Sequence, residues 1–207
     1  MDIKQTRFIA TNFYNLQGLR AIPLGLCLLL TTVWVNGTKG TGRSFLVPVL
    51  LLAGTIILFI VIDRYYLHTF GRVQRTPESR RLEWLFSVVG GTLGLGAFWL
   101  DVSYKLQVSL IGLVFAAGLL ADYIRITWLV KGRYLLHIPL GAVLIAGISV
   151  LPLLGASDWW KAFGLTHQLF GITIIMSVFT VIAGIWGHIF LVRTLPPRME
   201  TNNDQAI

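Results

Sequence analysis

Six apolar segments follow one another along this chain of 207 residues, each separated from the next by a polar interval. An α-helix needs about 20 apolar residues to cross the hydrocarbon core of a bilayer. Because lipid offers the backbone no hydrogen-bond partners, such segments are expected to be helical. They lie at about residues 19–35, 44–62, 85–100, 108–123, 135–154 and 168–192. The sequence therefore predicts an all-α, polytopic membrane protein, a bundle of six transmembrane helices in three hairpins.

The composition agrees with a bilayer environment. Only 13% of the residues are charged, whereas a soluble domain has about a quarter, and each charge placed in hydrocarbon costs roughly 2.5–3.5 kcal/mol. The net charge of +8 would suggest nucleic-acid binding in a soluble domain. Here the basic residues lie between the apolar segments, so we expect the lipid bilayer as partner and no nucleic acid.

The basic residues are distributed unequally between the two sides of the predicted bundle. Thirteen of the seventeen lysines and arginines lie in the N-terminal segment, after the second and fourth spans, or after the sixth. Cytoplasmic loops carry such an excess, so both termini are predicted to be cytoplasmic, in what we expect to be a bacterial plasma membrane. Residues 1–18 are then a cytoplasmic segment, either an interfacial helix or a partly ordered tail, and residues 194–207 are a polar tail.

The longest polar interval, residues 63–83, contains five arginines and is the strongest orientation signal of the chain. Together with the end of the fourth span it predicts a cluster of charges at the inner membrane boundary. The members of this cluster are Asp63, Arg64, Glu83, Asp122 and Arg125. Pairing of charges at the helix ends is the favoured interpretation, and docking of a cytoplasmic partner on the interval 63–83 is the alternative.

Two histidines are predicted to lie near the same inner boundary. His137 begins the fifth span and His188 nearly ends the sixth, so the two side chains could face each other. Two facing histidines can ligate haem or a metal ion. The simpler interpretation is that each histidine forms hydrogen bonds to its neighbours, and on that interpretation no cofactor is expected.

Small residues four positions apart recur on three spans, where they allow close approach of helix backbones in lipid. The pairs are Gly90 and Gly94, Gly112 and Ala116, Ala117 and Ala121, and Ala142 and Ala146. Static helix packing is favoured over a sliding surface.

No motif in the sequence indicates catalysis. The chain contains no HExxH, no P-loop and no GxSxG motif, and its single cysteine, Cys27, excludes both an intrachain disulfide and a cysteine-based metal site. The carboxylates Asp101 and Asp158 are predicted at the outer boundary, whereas ion-coupled transporters often bury one at mid-depth. An enzyme is therefore not expected.

Three functional hypotheses follow. The first is a small membrane subunit that acts with partners, for instance in transport. The second is an electron-transfer protein with haem held between the fifth and sixth spans. The third is a non-catalytic membrane sensor or structural protein.

Overall fold

The structure is a computed structural model that describes residues 17–38, 46–70, 77–104, 106–125, 127 and 136–194. The side chains at positions 77–80, 82 and 83 lie outside this part. The described residues form six α-helices and no strand. These are α1 (Ala21–Gly37), α2 (Leu46–Phe70), α3 (Pro77–Tyr104), α4 (Leu110–Ile124), α5 (His137–Val150) and α6 (Gln168–Thr194). Short 3-10 turns occupy Gly18–Arg20, Leu151–Leu154 and Trp159–Phe163. The predicted all-helical class is confirmed.

Five of the helical segments in the described chain are long and apolar enough to cross a membrane. They are Gly18–Gly37, Leu46–Phe70, Trp84–Tyr104, His137–Leu154 and Gln168–Thr194. The sixth, α4, has 15 residues and a length of about 22 Å, which is shorter than the hydrocarbon core of about 30 Å. These helices are compatible with a multi-pass membrane protein, and α4 covers nearly the same residues as the predicted segment 108–123.

The helices on either side of the interval 63–83 are longer than their apolar segments. Helix α2 continues to Phe70, and α3 already begins at Pro77. Polar residues remain helical beyond an apolar segment because the backbone hydrogen bonds continue within the helix, whereas hydropathy reports only the lipid-contacting part. Of the predicted loop, residues 71–76 lie outside the described residues.

Helix α6 is the centre of the bundle. It packs along α1 over most of its length and also contacts α5 and α4, which pack closely on each other. The main apolar core lies between α4, α5 and α6 and is formed by Ala116, Ala142, Ile145, Ile172 and Met176. Helix α2 rests principally on α1, and α3 principally on α4. These two helices are the least enclosed parts of the bundle.

Glycines set the closest helix contacts. A Cβ atom at Gly18 would overlap the carbonyl oxygen of Gly184, and one at Gly112 would overlap the hydroxyl of Ser149. Gly141 lies directly against the ring of Phe179. Because helices in lipid associate by close packing and not by a hydrophobic driving force, these positions hold α1, α4 and α5 in the bundle.

Candidate functional site

One end of the bundle contains a hydrogen-bonded group that we call the Tyr66 junction, formed by Leu19, Tyr66 and His188. The Tyr66 hydroxyl accepts the amide N–H of Leu19 at 3.2 Å and lies 3.0 Å from Nδ1 of His188. Tyr66 is only 1% exposed. The junction therefore joins three segments, namely the turn that begins α1, the last turns of α2 and the last turns of α6.

The backbone geometry explains why these groups meet. Gly18 allows the 3-10 turn before α1 to lie against the carbonyl of Gly184, and the amide nitrogen of His188 is also near, 2.9 Å from a Cβ atom built at Gly18. Gly184 and His188 are four residues apart, so both lie on the side of α6 that faces α1. The main chain at position 19 is thereby brought within reach of Tyr66.

Aromatic rings surround the junction. The ring of Tyr65 lies 5.4 Å from that of Tyr66 and 6.1 Å from that of His188. The ring of Phe70 lies 5.9 Å from that of Tyr66. Contacts of this kind add packing energy and exclude water from the hydrogen bonds within. The junction is consequently a shielded polar group at the end of an apolar bundle.

The charges predicted at the inner boundary form two separate ion pairs in the described residues. Asp63 pairs with Arg20 at 2.6 Å, which joins α2 to the start of α1. Arg125 pairs with Asp122 at 2.5 Å, and its guanidinium carbon lies 6.0 Å from the centre of the Phe86 ring on α3. The first pair lies where α2 contacts the start of α1, and the second lies where α4 contacts α3.

Arg64 and Glu83 are the remaining members of that predicted cluster. Arg64 is exposed, and the side chain of Glu83 lies outside the described residues. The carboxylate of Asp63 is about half exposed, at 49%. Exposed ion pairs contribute at most about 1 kcal/mol. These charges therefore stabilise the helix ends only weakly, and their main effect is on where the helix ends lie.

The two histidines predicted as a haem or metal pair have different neighbours. The ring of His137 lies 5.9 Å from that of Trp186, whereas His188 belongs to the Tyr66 junction. Trp186 and His188 are two residues apart on α6 and so point about 200° apart around it. Within the described residues, no group of three histidines, cysteines or carboxylates could hold a metal ion. The pair of His137 and His188 stays a prediction.

The opposite end of the bundle contains a buried carboxylate, which we call the Asp101 cap. Asp101 at the end of α3 is 4% exposed. Its oxygens accept the Ser109 hydroxyl at 3.0 Å and the amides of Leu110 and Ile111 at 2.8 and 3.0 Å. The first amides of a helix lack partners within it and carry a partial positive charge. Asp101 of α3 thus caps the first turn of α4.

The cap extends to two further helices. The amide of Ser109 donates to the carbonyl of Ser149 at 3.1 Å, and the side-chain nitrogen of Gln168 lies 3.5 Å from the same carbonyl. Ser109, Ser149 and Gln168 are all buried. Four helices, α3 to α6, are therefore connected at this end. Gln168 and His188 lie about 30 Å apart along α6, so the cap and the Tyr66 junction are at opposite ends.

Sequence reasoning assigned neither role. It placed Asp101 at a membrane boundary and gave Tyr66 no role. A signal for the cap was present, since Asp101 precedes Ser109 across a short connection before an apolar run, and both are residue types that cap helices. Tyr66 gave no comparable signal because its partner His188 is 122 residues away.

The described geometry assembles structural hydrogen-bond networks and not a constellation of a nucleophile with a base. Comparisons with protein-family models, with curated proteins and with solved structures found no match to this chain.

Proposed function

We propose that this protein is a non-catalytic membrane subunit that binds a partner's transmembrane helix, and that it crosses the membrane six times with both termini in the cytoplasm. The observation that supports binding of a partner is one partly uncovered side of α3. We call this side the α3 face and define it by Gly90, Gly94, Ala97 and Asp101. Their spacing of four, three and four residues places them along one side of the helix.

Only the half of the α3 face near the Asp101 cap is covered. Ala97 is 5% exposed and Asp101 4%. By contrast, a Cβ atom at Gly90 or Gly94 would meet no atom of another helix within 4 Å in the part of the chain that the structure describes. Just 11% of the most apolar stretch of α3 is buried, compared with 28% in α5 and α6. The packing of α3 against the bundle is therefore incomplete in its glycine half.

A glycine surface in a membrane is suited to close packing against another helix. Small residues let two backbones approach closely, and the resulting van der Waals contacts drive association in lipid. The glycines carry a cost as well, because glycine is about 1 kcal/mol less favourable than alanine in a helix interior. A partner helix packed against Gly90 and Gly94 would offset that cost.

Site-specific crosslinking tests this proposal. A photoreactive amino acid at Gly90 should form an adduct with one protein of defined mass when membranes are irradiated. The same amino acid at Leu95, which is 73% exposed and lies about 140° away around α3, is the control and should react with lipid. Lipid adducts alone at position 90, or the same protein adducts at both positions, would contradict binding at the α3 face.

The proposed orientation rests on the charge distribution. The thirteen basic residues of the N-terminal segment, of the intervals after the second and fourth spans and of the C-terminal part would face the cytoplasm. In this orientation the Tyr66 junction lies near the cytoplasmic surface and the Asp101 cap near the opposite one. The interval 63–83 would then be available to a cytoplasmic partner.

Cysteine labelling tests the orientation. In a Cys27→Ser background, single cysteines replace His68 or Lys161, both of which are exposed. On intact cells a membrane-impermeant maleimide should label position 161 and spare position 68, and permeabilisation should make position 68 reactive. Labelling of position 68 on intact cells with position 161 protected would reverse the orientation.

A further inference from the structure

We infer that Tyr66 fixes neutral His188 in the tautomer with its proton on Nε2, so that His188 acts as a structural hydrogen-bond acceptor through Nδ1 and is not poised to ligate haem or a metal. The directions of the two hydrogen bonds at the Tyr66 oxygen determine this tautomer, whatever the protein's function.

The first hydrogen bond has only one direction. The amide N–H of Leu19 can only donate, so the Tyr66 oxygen, 3.2 Å away, is the acceptor. The hydroxyl proton of Tyr66 is thereby left to be donated elsewhere. Nδ1 of His188, at 3.0 Å, is the acceptor that the structure provides.

The alternative tautomer would leave a buried donor without an acceptor. If Nδ1 carried the proton, it and the amide of Leu19 would both donate to the same oxygen. The hydroxyl proton of Tyr66, a residue only 1% exposed, would then lose its partner. Unsatisfied buried donors are costly, so the arrangement with Nδ1 as acceptor is favoured.

The neighbouring charge does not oppose this arrangement. The rings facing His188 are those of Tyr65 and Tyr66, at 6.1 and 5.9 Å, and both come from α2. The 3-10 turn before α1 contributes backbone atoms around Gly18 and the side chain of Arg20, whose positive charge acts on Tyr66 and disfavours a second proton on the His188 ring. Within the described residues, no carboxylate forms an ion pair with His188. Nothing there favours a second proton on the ring.

The tautomer has a consequence for the haem hypothesis. A histidine binds a metal through an unprotonated nitrogen, and its other nitrogen usually donates an N–H to an acceptor. Ligation through Nε2 would move the proton of His188 to Nδ1, which would then donate to the Tyr66 oxygen and leave the buried Tyr66 hydroxyl proton without an acceptor. The second shell around His188 therefore disfavours its use as a ligand.

Nitrogen-15 NMR of the full-length protein in detergent micelles tests the inference. With labelled histidine, the resonance of His188 is identified by its loss in His188→Gln, and the spectrum is recorded where the ring is neutral. We expect a protonated Nε2 and an unprotonated Nδ1, with this tautomer in excess by about tenfold or more. Tyr66→Phe should reduce that excess several-fold, because Nδ1 loses its donor.

Tyr65→Phe is the matched control, because it removes a neighbouring hydroxyl from a ring that also touches His188, and it should leave the tautomer ratio unchanged. A wild-type spectrum with the proton on Nδ1 would overturn the inference by itself, even if Tyr66→Phe does not fold. An unchanged ratio in folded Tyr66→Phe would overturn it as well.

Discussion

Replacing Asp101 with alanine is expected to destabilise the protein by about 3 kcal/mol, because three buried donors lose their acceptor at once. These donors are the Ser109 hydroxyl and the amides of Leu110 and Ile111. The carboxylate is 4% exposed, so water cannot easily replace it. Unfolding by SDS in mixed micelles measures the loss. Asp101→Asn, which keeps one acceptor oxygen, should have an intermediate effect.

Asp158→Ala is the control for this substitution. Asp158 also follows a membrane-spanning segment, and it pairs with Lys161 at 3.1 Å. Both side chains are more than half exposed, however, at 59% and 65%, and such pairs contribute little. Its unfolding curve should match that of the wild type. Equal losses for Asp101→Ala and Asp158→Ala would mean that the Asp101 cap does not hold α3 to α4.

The second large effect is expected at the contact between α1 and α6. Gly184→Leu should destabilise the bundle by about 3 kcal/mol, since overpacking costs typically 1–3 kcal/mol or more and the obstacle here is backbone. A Cβ atom at position 184 would lie 2.6 Å from the carbonyl oxygen of Gly18 and 3.0 Å from Cγ1 of Ile22. The two helices must separate to accommodate a larger side chain. SDS unfolding measures the destabilisation.

Matched glycines provide the controls for the Gly184 substitution. A Cβ atom at Gly54 on α2 or at Gly147 on α5 would meet no atom of another helix within 4 Å among the described residues. Leucine at either position should be neutral or slightly stabilising, because leucine is a better helix former than glycine. If Gly184→Leu is as stable as Gly147→Leu, then α1 and α6 are not in the close contact described above.

The helical class was predictable because the bilayer constrains apolar segments so strongly. Six apolar runs could only be helices, and the described residues form six helices. Hydropathy reports transfer energy and not helix length, which explains why α2 and α3 exceed their predicted spans, whereas α4 nearly matches its predicted segment 108–123. Where a helix enters water, backbone hydrogen bonds continue and the apolar signal does not.

The polar contacts were harder to predict, because their partners are distant in sequence. His188 lies in the last turns of α6, but its contact with Tyr66 depends on Gly18 packing against Gly184, which no local pattern encodes. Asp63 was expected in a cluster of charges at the helix ends, and its partner in the structure is Arg20, in the 3-10 turn before α1. Charge patterns thus indicated which ends carry ions without specifying the pairs.

The close contact between α1 and α6 also bears on how the chain is assembled during synthesis. Gly25 of α1 and Val181 of α6, which pack against each other, are 156 positions apart in the sequence. At translation rates of about 5–20 residues per second, on the order of 10 s therefore pass between the synthesis of α1 and that of α6, its main neighbour. During that interval its glycine side faces lipid or the insertion machinery. Packing of α1 against α6 is consequently a later event than the synthesis of α1, because it depends on α6 being made.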